Sequence, residues 1–387
     1  MHRHAIAIFM YAIKAKILYD GTSNKAKKDV YILFEGSKIK GISKNKGNAE
    51  VIAEGTVTPG FVDAHAHIGM ARSGEPSNEG ELNEKMNPLY PLLDAIDSVY
   101  MDDIAFRESI EHGVLYSHIL HGSGNIVGGR SALIRNFGKD IGEAYITHVG
   151  IKAALGYNPR STQDWKGTRP STRMGAVALL KEQLLKARKT KMLIEKNKKS
   201  IEEVDPVTEI FMDILNGKIP LMVHVHKEDD IIVLMKLVNE FGFRAVINHG
   251  ADVHRREIWE KVKSMGMDVI YGPVDTFSYK VELKNEYWRN IKHIVDVRPR
   301  FCVMSDHPFV LQRNLHLQLR YFRRFGMSRE ESIALVSGNA ADILGVKNIG
   351  KVKKGYYASM VVWNGEPFSL ESYPIMVIGE GKVLHEE

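Results

Sequence analysis

The sequence predicts an α/β protein: a middle of repeated βα units around a parallel sheet, bracketed by two β-rich ends. Between residues 57 and 344, short apolar runs alternate with stretches of helical periodicity, which is the pattern of repeated βα units. Outside that span, at both ends of the chain, short β-type runs are separated by glycine-containing turns. A third observation concerns chemistry. Histidine or aspartate closes several of the middle runs, where functional side chains gather in parallel α/β folds.

Composition bounds the rest. With 387 residues, 44% hydrophobic and 26% charged, the chain has ample material for a core. That length exceeds the usual single core and suggests one large barrel with an accessory domain, or two domains. The one cysteine, Cys302, rules out an internal disulfide framework and a thiolate zinc cluster and suits a reducing compartment. No 18-residue apolar run is present, so neither a transmembrane helix nor a membrane partner is expected. The opening, from Met1-His2-Arg3-His4 to Met10, superficially resembles a signal peptide. Its apolar part merges into residues 11–18, a strand-like run with alternating lysines and no convincing cleavage site after it. It therefore reads as part of the fold, in a cytoplasmic protein.

Net charge is +6 with a pI near 9.0, and much of the excess sits in residues 181–199. Such a Leu/Lys-rich run more commonly means a solvated helix face than a nucleic-acid face. No zinc finger or aromatic-basic interleaving supports the latter, so no nucleic-acid partner is expected.

Residues 12–18, 30–34, 39–42 and 51–53 form a predicted β-meander, with turns at Gly21-Thr22-Ser23-Asn24 and Glu35-Gly36. Next comes Thr58-Pro59-Gly60-Phe61-Val62-Asp63-Ala64-His65-Ala66-His67, an apolar run ending in two histidines one residue apart. On a strand, residues i and i+2 share a face, so both imidazoles aim at one spot. Two imidazoles are half of a metal site, although a strand emerging into solvent would also carry such a pair.

Strand candidates in the middle are residues 61–67, 113–120, 145–154, 220–226, 244–249, 267–271 and 301–305, with an eighth not placed. Helical candidates are 101–112, 174–191, 231–241 and 257–264. Residues 328–336 open with Ser328-Arg329-Glu330-Glu331, an N-terminal capping sequence. The last β-type runs, 349–355, 360–363, 375–378 and 382–384, would pair with the first into one small sheet domain.

His65 and His67 close one strand, His224 and His226 another, His249 the next, and Asp306 the last. Singly, each has an ordinary meaning: a satisfied polar residue, or an aspartate capping the next helix. Together on one face of one barrel they form a nitrogen-rich metal site with a carboxylate beside it.

With these residues aligned, the chain resembles the amidohydrolase superfamily, and within it the imidazolonepropionase-related amidohydrolases. Residues 60–67 resemble the strand-one metal motif, and 121–129 (His121-Gly122-Ser123-Gly124-Asn125-Ile126-Val127-Gly128-Gly129) that subgroup's glycine-rich loop. Ser337-Gly338-Asn339-Ala340-Ala341-Asp342-Ile343-Leu344-Gly345 resembles the terminal-helix signature, and residues 349–363 the return to the small β domain. The resemblance implies a (β/α)8 TIM-type barrel at residues 58–345 and a composite β-sandwich domain from residues 1–57 and 346–387. It implies a divalent metal, zinc first, with Fe2+ or Mn2+ as alternatives, held by His65, His67, His224, His249 and Asp306. His226 shares the face of His224 and could replace it; strand parity alone does not separate them.

Two departures bear on the site. Where that subgroup often carries a glutamate, this chain reads Gly156-Tyr157-Asn158-Pro159. Lys152 could be a carbamylated bridge between two ions, but a lysine that packs its stem and reaches solvent is commoner, so one ion is expected. In the β domain, Tyr357-Ala358-Ser359-Met360 stands where relatives usually have an acidic segment.

A zinc-class ion would supply a nucleophile from water at neutral pH, with Asp306 as the catalytic proton shuttle. The expected substrate is a small molecule with a non-peptide C–N bond, such as a cyclic amide or imidazolone. The alternatives are a heterocycle deaminase, an Xaa-Pro metallo-dipeptidase, and a non-catalytic metal-bound scaffold. Ser123, Asn125, the Gly128-Gly129 backbone and Arg173 are substrate-binding candidates, with a helix-start salt bridge equally open for Arg173. Barrels of this kind commonly dimerise, so a homo-oligomer fits.

Overall fold

The structure is a computed structural model that describes residues 10–160, 167–274 and 276–387. The signal-like segment at residues 1–9 therefore lies outside the described residues. Among the described residues, fifteen strands form two sheets. The first four are β1 (Tyr11–Leu18), β2 (Lys27–Glu35), β3 (Lys38–Ser43) and β4 (Glu50–Pro59). The middle eight are β5 (Phe61–Ala66), β6 (Val114–Ile119), β7 (Val127–Arg135), β8 (Tyr145–Ala154), β9 (Leu221–Val225), β10 (Ala245–His249), β11 (Asp268–Tyr271) and β12 (Phe301–Val303). The last three are β13 (Met360–Trp363), β14 (Pro374–Gly379) and β15 (Lys382–Glu386).

The two β-rich ends do pair. One seven-stranded sheet runs β15-β14-β13-β4-β1-β2-β3, joined where β13 lies antiparallel to β4 with Val362 opposite Val57. In β1 the alternating lysines explain themselves: Ile13, Ala15 and Leu18 are buried while Lys16 is exposed. Ile13, Ile32, Phe34, Met360 and Val362 share one apolar cluster with the rest of this sheet.

The eight-stranded sheet runs β12-β11-β10-β9-β8-β7-β6-β5. β5, β6 and β9 to β12 are buried on both faces, as a sheet covered by helices requires. One feature departs from the expected array of parallel βα units. β7, the strand left unplaced by the sequence reading, runs antiparallel to both β6 and β8. A short loop, not a helix, joins it to β6, so a hairpin replaces one βα unit. Two glycines near its start, Gly128 and Gly129, and the polar Arg130 and Ser131 hid it among loop-like residues.

The sheet is nearly closed on itself. Beyond the ends of β5 and β12, Asp306 N–H donates to His65 O and His67 N–H donates to His307 O, both at 3.0 Å. Only Gly60 separates β4 from β5, and it is needed there, since a Cβ would sit 2.4 Å from Leu115 Cδ1.

The predicted helices are present with shifted ends: Ile104–Glu111, Arg173–Glu195, Glu228–Phe241, Arg256–Ser264 and Arg329–Leu335. Ser328 and Glu331 form the predicted capping box. The lysine-rich run lies on Arg173–Glu195, which buries Ala176, Leu180, Leu184 and Ala187 on one face and leaves the lysines on the solvated remainder. The sequence reading did not include the helix Pro206–Leu215, capped by Asp205. Among the described residues, no helix is long and apolar enough to cross a membrane.

Candidate metal centre

Each histidine and the aspartate singled out in the sequence emerge at one end of the eight-stranded sheet. β5 delivers His65 and His67, β9 delivers His224 and His226, and β10 ends in His249. Asp306 follows β12. Register places Asn248 opposite His224 and Ala154 opposite His224, so neighbouring strands stop at one level. Two of these residues hold a left-handed backbone that non-glycine residues avoid: His249 at φ 86° and Asp306 at φ 53°. Such positions cost roughly 1–3 kcal/mol each and persist where the surroundings require the side chain there. Gly250 follows at φ +74°, and a Cβ on it would meet Trp259 at 2.6 Å.

The donors converge. Asp306 Oδ1 lies 3.4 Å from His65 Nε2 and 3.3 Å from His67 Nε2, and Asp306 Oδ2 lies 4.0 Å from His249 Nδ1. His249 stands 4.3 Å from His224, 4.4 Å from His226 and 5.1 Å from His65, ring centre to ring centre. Two groups have ligand atoms within 4.8 Å of one another, His65/His67/Asp306 and His224/His226/His249. All six residues are buried.

The hydrogen bonding tests whether these rings suit a cation. Nδ1 of His65 meets Asn248 Oδ1 at 2.7 Å, Nδ1 of His67 meets Leu120 O at 2.8 Å, and Nδ1 of His249 meets Gly272 O at 2.9 Å. Each of these oxygens is an acceptor, so the ring proton sits on Nδ1 and Nε2 carries an unprotonated lone pair. His249 Nε2 accordingly has no hydrogen-bond partner, nor do the Nδ1 atoms of His224 and His226. Burial pushes the basicity of His65, His226 and His249 well below the ordinary imidazole value, and that of His224 down to about 4. Neutral imidazoles with exposed lone pairs are the form a divalent ion binds. The residues fit one.

Two readings need correction. Lys152 does not reach solvent: it is fully buried, its Nζ donating to His121 O at 2.9 Å and standing 3.5 Å from His65 Nε2. Burial pulls its amine down to about 7. The second concerns the glutamate that Tyr157 displaces. A carboxylate does reach that spot, from Glu282, whose Oε2 accepts from the Tyr157 N–H at 3.1 Å. Its Oε1 lies 3.0 Å from His224 Nε2 and 2.7 Å from Lys280 Nζ. Burial opposes the charge on Glu282, but the His224 hydrogen bond and the Lys280 ammonium outweigh it and hold the carboxyl well below its ordinary value. The sequence reading missed both Glu282 and Lys280. The only signal was an acidic residue between Val281 and Leu283 in a stretch without periodicity.

A cleft of about 360 Å³ opens over the centre. His67, His224, His249 and Asp306 line it, with Lys280 and Phe309 among its walls. Its size suits a small molecule. Of the substrate-binding candidates, Ser123 lines this cleft. Asn125 instead donates to Glu84 O and Asn87 O at 2.8 Å each, fixing the segment that covers the site. Arg173 takes the salt-bridge option, 2.7 Å from Asp230, away from the cleft lining.

The amidohydrolase family model matches residues 187–384, more than half of the chain. The chain belongs to the amidohydrolase family. This amidohydrolase is 24% identical over 365 residues to amidohydrolase tasK of Hapsidospora irregularis, a match covering 87% of this chain. It spans only 37% of that curated relative's length. A solved amidohydrolase from Thermotoga maritima MSB8 superposes with a TM-score of 0.88 at 29% identity, covering 98% of this chain and 100% of that one. A prolidase bound to N-methylphosphonate-L-proline superposes with a TM-score of 0.62 at 13% identity, covering 98% and 100% respectively, and shows the shared fold alone.

Proposed function

We propose that this amidohydrolase is a metal-dependent hydrolase of a non-peptide C–N bond in a small molecule, a cyclic amide or an imidazolone-like ring. The observation that carries the reading is the convergence of His65, His67, His224, His249 and Asp306, with the His224 Nδ1 and His249 Nε2 atoms left without a hydrogen-bond partner. His65 and His67 would hold the ion from one side, His224 and His249 from the other, and Asp306 beside them. A bound zinc-class ion, or Fe2+ or Mn2+ in its place, supplies a Lewis acid and acidifies water.

The chain's own groups do the rest. Asp306, held by the backbone bond from its N–H to His65 O, takes a proton from the attacking water and returns it to the leaving nitrogen. Lys280 presents N–H donors at the wall of the cleft. The glycine-rich segment at 121–129 supports the imidazolonepropionase-related subgroup. The seven-stranded sheet with its own apolar cluster supports a composite β-sandwich domain from residues 1–57 and 346–387 beside a barrel at 58–345.

A second reading of metal content is favoured by Lys152. Its buried amine lies beside His65, with the two donor groups close by. Condensation with carbon dioxide would release a proton and leave a carbamate able to bridge two ions. Bicarbonate-dependent loading of two ions per chain would support it, and one ion per chain, indifferent to bicarbonate, would exclude it.

The functional test is a screen of metal-loaded protein against cyclic ureas, lactams, imidazolones and acyl-dipeptides, read by mass change. Ring opening with water uptake supports the proposal. Ammonium released from an intact ring points to a deaminase, and free amino acids from Xaa-Pro substrates to a dipeptidase. Metal binding without turnover of any compound leaves the scaffold reading.

A further inference from the structure

Strand parity places His224 and His226 on one face of β9 and leaves open which of them meets a cation. The loop after β11 makes the distinction. We infer that Glu282 is a positioning residue: by accepting the Nε2–H of His224 it turns that ring's Nδ1 lone pair toward the cation and makes His224, not His226, the ligand. This rests on the metal-hydrolase reading and assigns a role to a residue outside the ligand set.

The geometry is asymmetric. Glu282 Oε1 is 3.0 Å from His224 Nε2 but 3.9 Å from His226 Nε2, so it holds only the first ring. The Nδ1 atoms of His224 and His226 are both buried without a hydrogen-bond partner, but of the two residues only His224 lines the cleft. One imidazole nitrogen cannot donate a proton and coordinate a cation together, so the Glu282 bond commits Nε2 and frees Nδ1. This is the opposite choice from His65, His67 and His249, whose Nδ1 atoms are committed to oxygen acceptors.

Glu282 is itself held. Lys280 Nζ lies 2.7 Å from Oε1 and the Tyr157 N–H donates to Oε2 at 3.1 Å, while the residue is 1% exposed. Flipping the His224 ring would break its bond and leave a buried carboxylate short of a partner, which is costly. The ammonium of Lys280 balances the carboxylate, so Glu282 orients the ring without adding net charge to the centre.

The test uses full-length protein with Zn2+ or Co2+ alone as the probe. Glu282→Leu combined with Lys280→Met removes the carboxylate and its counter-charge together, so neither is left buried and unpaired. Glu282→Gln keeps an oxygen able to accept from His224. Zinc affinity is measured by competition with a chromogenic chelator, and ligand geometry by the visible absorption of the Co2+ form. The double variant, folded by circular dichroism, is expected to lose about 10–100-fold in zinc affinity with an altered Co2+ spectrum. Glu282→Gln should recover most of that affinity, and His226→Asn should keep the wild-type Co2+ spectrum. Wild-type affinity and spectrum in the double variant would overturn the role, as would loss of the spectrum in His226→Asn. Wild-type protein that takes up neither ion would overturn the hydrolase reading as well, so the two failures are distinguishable.

Discussion

Asp63 ties the first strand of the eight-stranded sheet to the segment after its last: the Ser305 N–H donates to Asp63 Oδ1 at 3.0 Å, and the Ser305 hydroxyl donates to Oδ2. Gln312 Nε2 adds a third bond at 2.9 Å. His65, two residues beyond Asp63, and Asp306, directly after Ser305, are brought within 3.4 Å of each other by the same closure. Asp63 is fully buried, and burial raises its carboxyl to about 6 against the pull of these donors.

Removing that clip should loosen both fold and site. Asp63→Ala takes the acceptor from the buried Ser305 N–H and hydroxyl and leaves Gln312 Nε2 with Ser117 Oγ alone, at a cost of roughly 3 kcal/mol. Urea unfolding should show the loss, and zinc affinity should fall with it because Asp306 is no longer registered against His65. An unchanged midpoint would show that the closure does not depend on Asp63.

Metal retention and turnover should separate by residue. His65→Ala or His249→Ala should lose the ion, while Asp306→Asn should keep it and lose about 10²–10⁴-fold in kcat. Elemental analysis beside turnover checks this once a substrate is found. Equal metal content and undiminished turnover in all three variants would end the hydrolase reading. Chelation of the wild type should abolish turnover, and re-addition of zinc should restore it.

His316 should set part of the acid stability. It is buried, its ring centre 6.1 Å from Phe61 and 5.2 Å from Trp363, and burial pulls its basicity down to about 4. A depressed value means that the unfolded chain binds the proton first. Its contribution is therefore present above about pH 6.5 and is lost as pH falls toward 4. The span corresponds to about 3 kcal/mol. His316→Phe should flatten the decline of the urea midpoint between those pH values, and an unchanged slope would exclude this source.

Gly250→Ala should disturb the centre without touching a donor. The new methyl would meet Trp259 at 2.6 Å in a backbone at φ +74°, costing roughly 1–3 kcal/mol. Because the shift falls next to His249, zinc affinity should drop along with thermal stability. A variant with wild-type melting temperature and affinity would show that the loop absorbs the methyl.

The pairing of the two chain ends was legible because both carry short β-type runs between glycine-containing turns, a pattern that depends only on local chemistry. The candidate ligands were legible for a related reason: in strands, spacing sets facing, and His65 and His67 must aim alike. β7 was hidden because its pairing is antiparallel within a hairpin, and glycines at its start resemble a loop. Lys152 reads on paper as a solvated lysine, and only the packed sheet shows that its amine has nowhere else to go.

The order of residues by itself determined the class of fold, the sheet shared by the termini and the donors clustered at strand ends, since these follow from periodicity and residue type. Tertiary structure alone decided the rest: Glu282 against His224, Lys152 beside His65, and Asp63 bound to Ser305. Those contacts join residues far apart in the chain, and no local spacing encodes them.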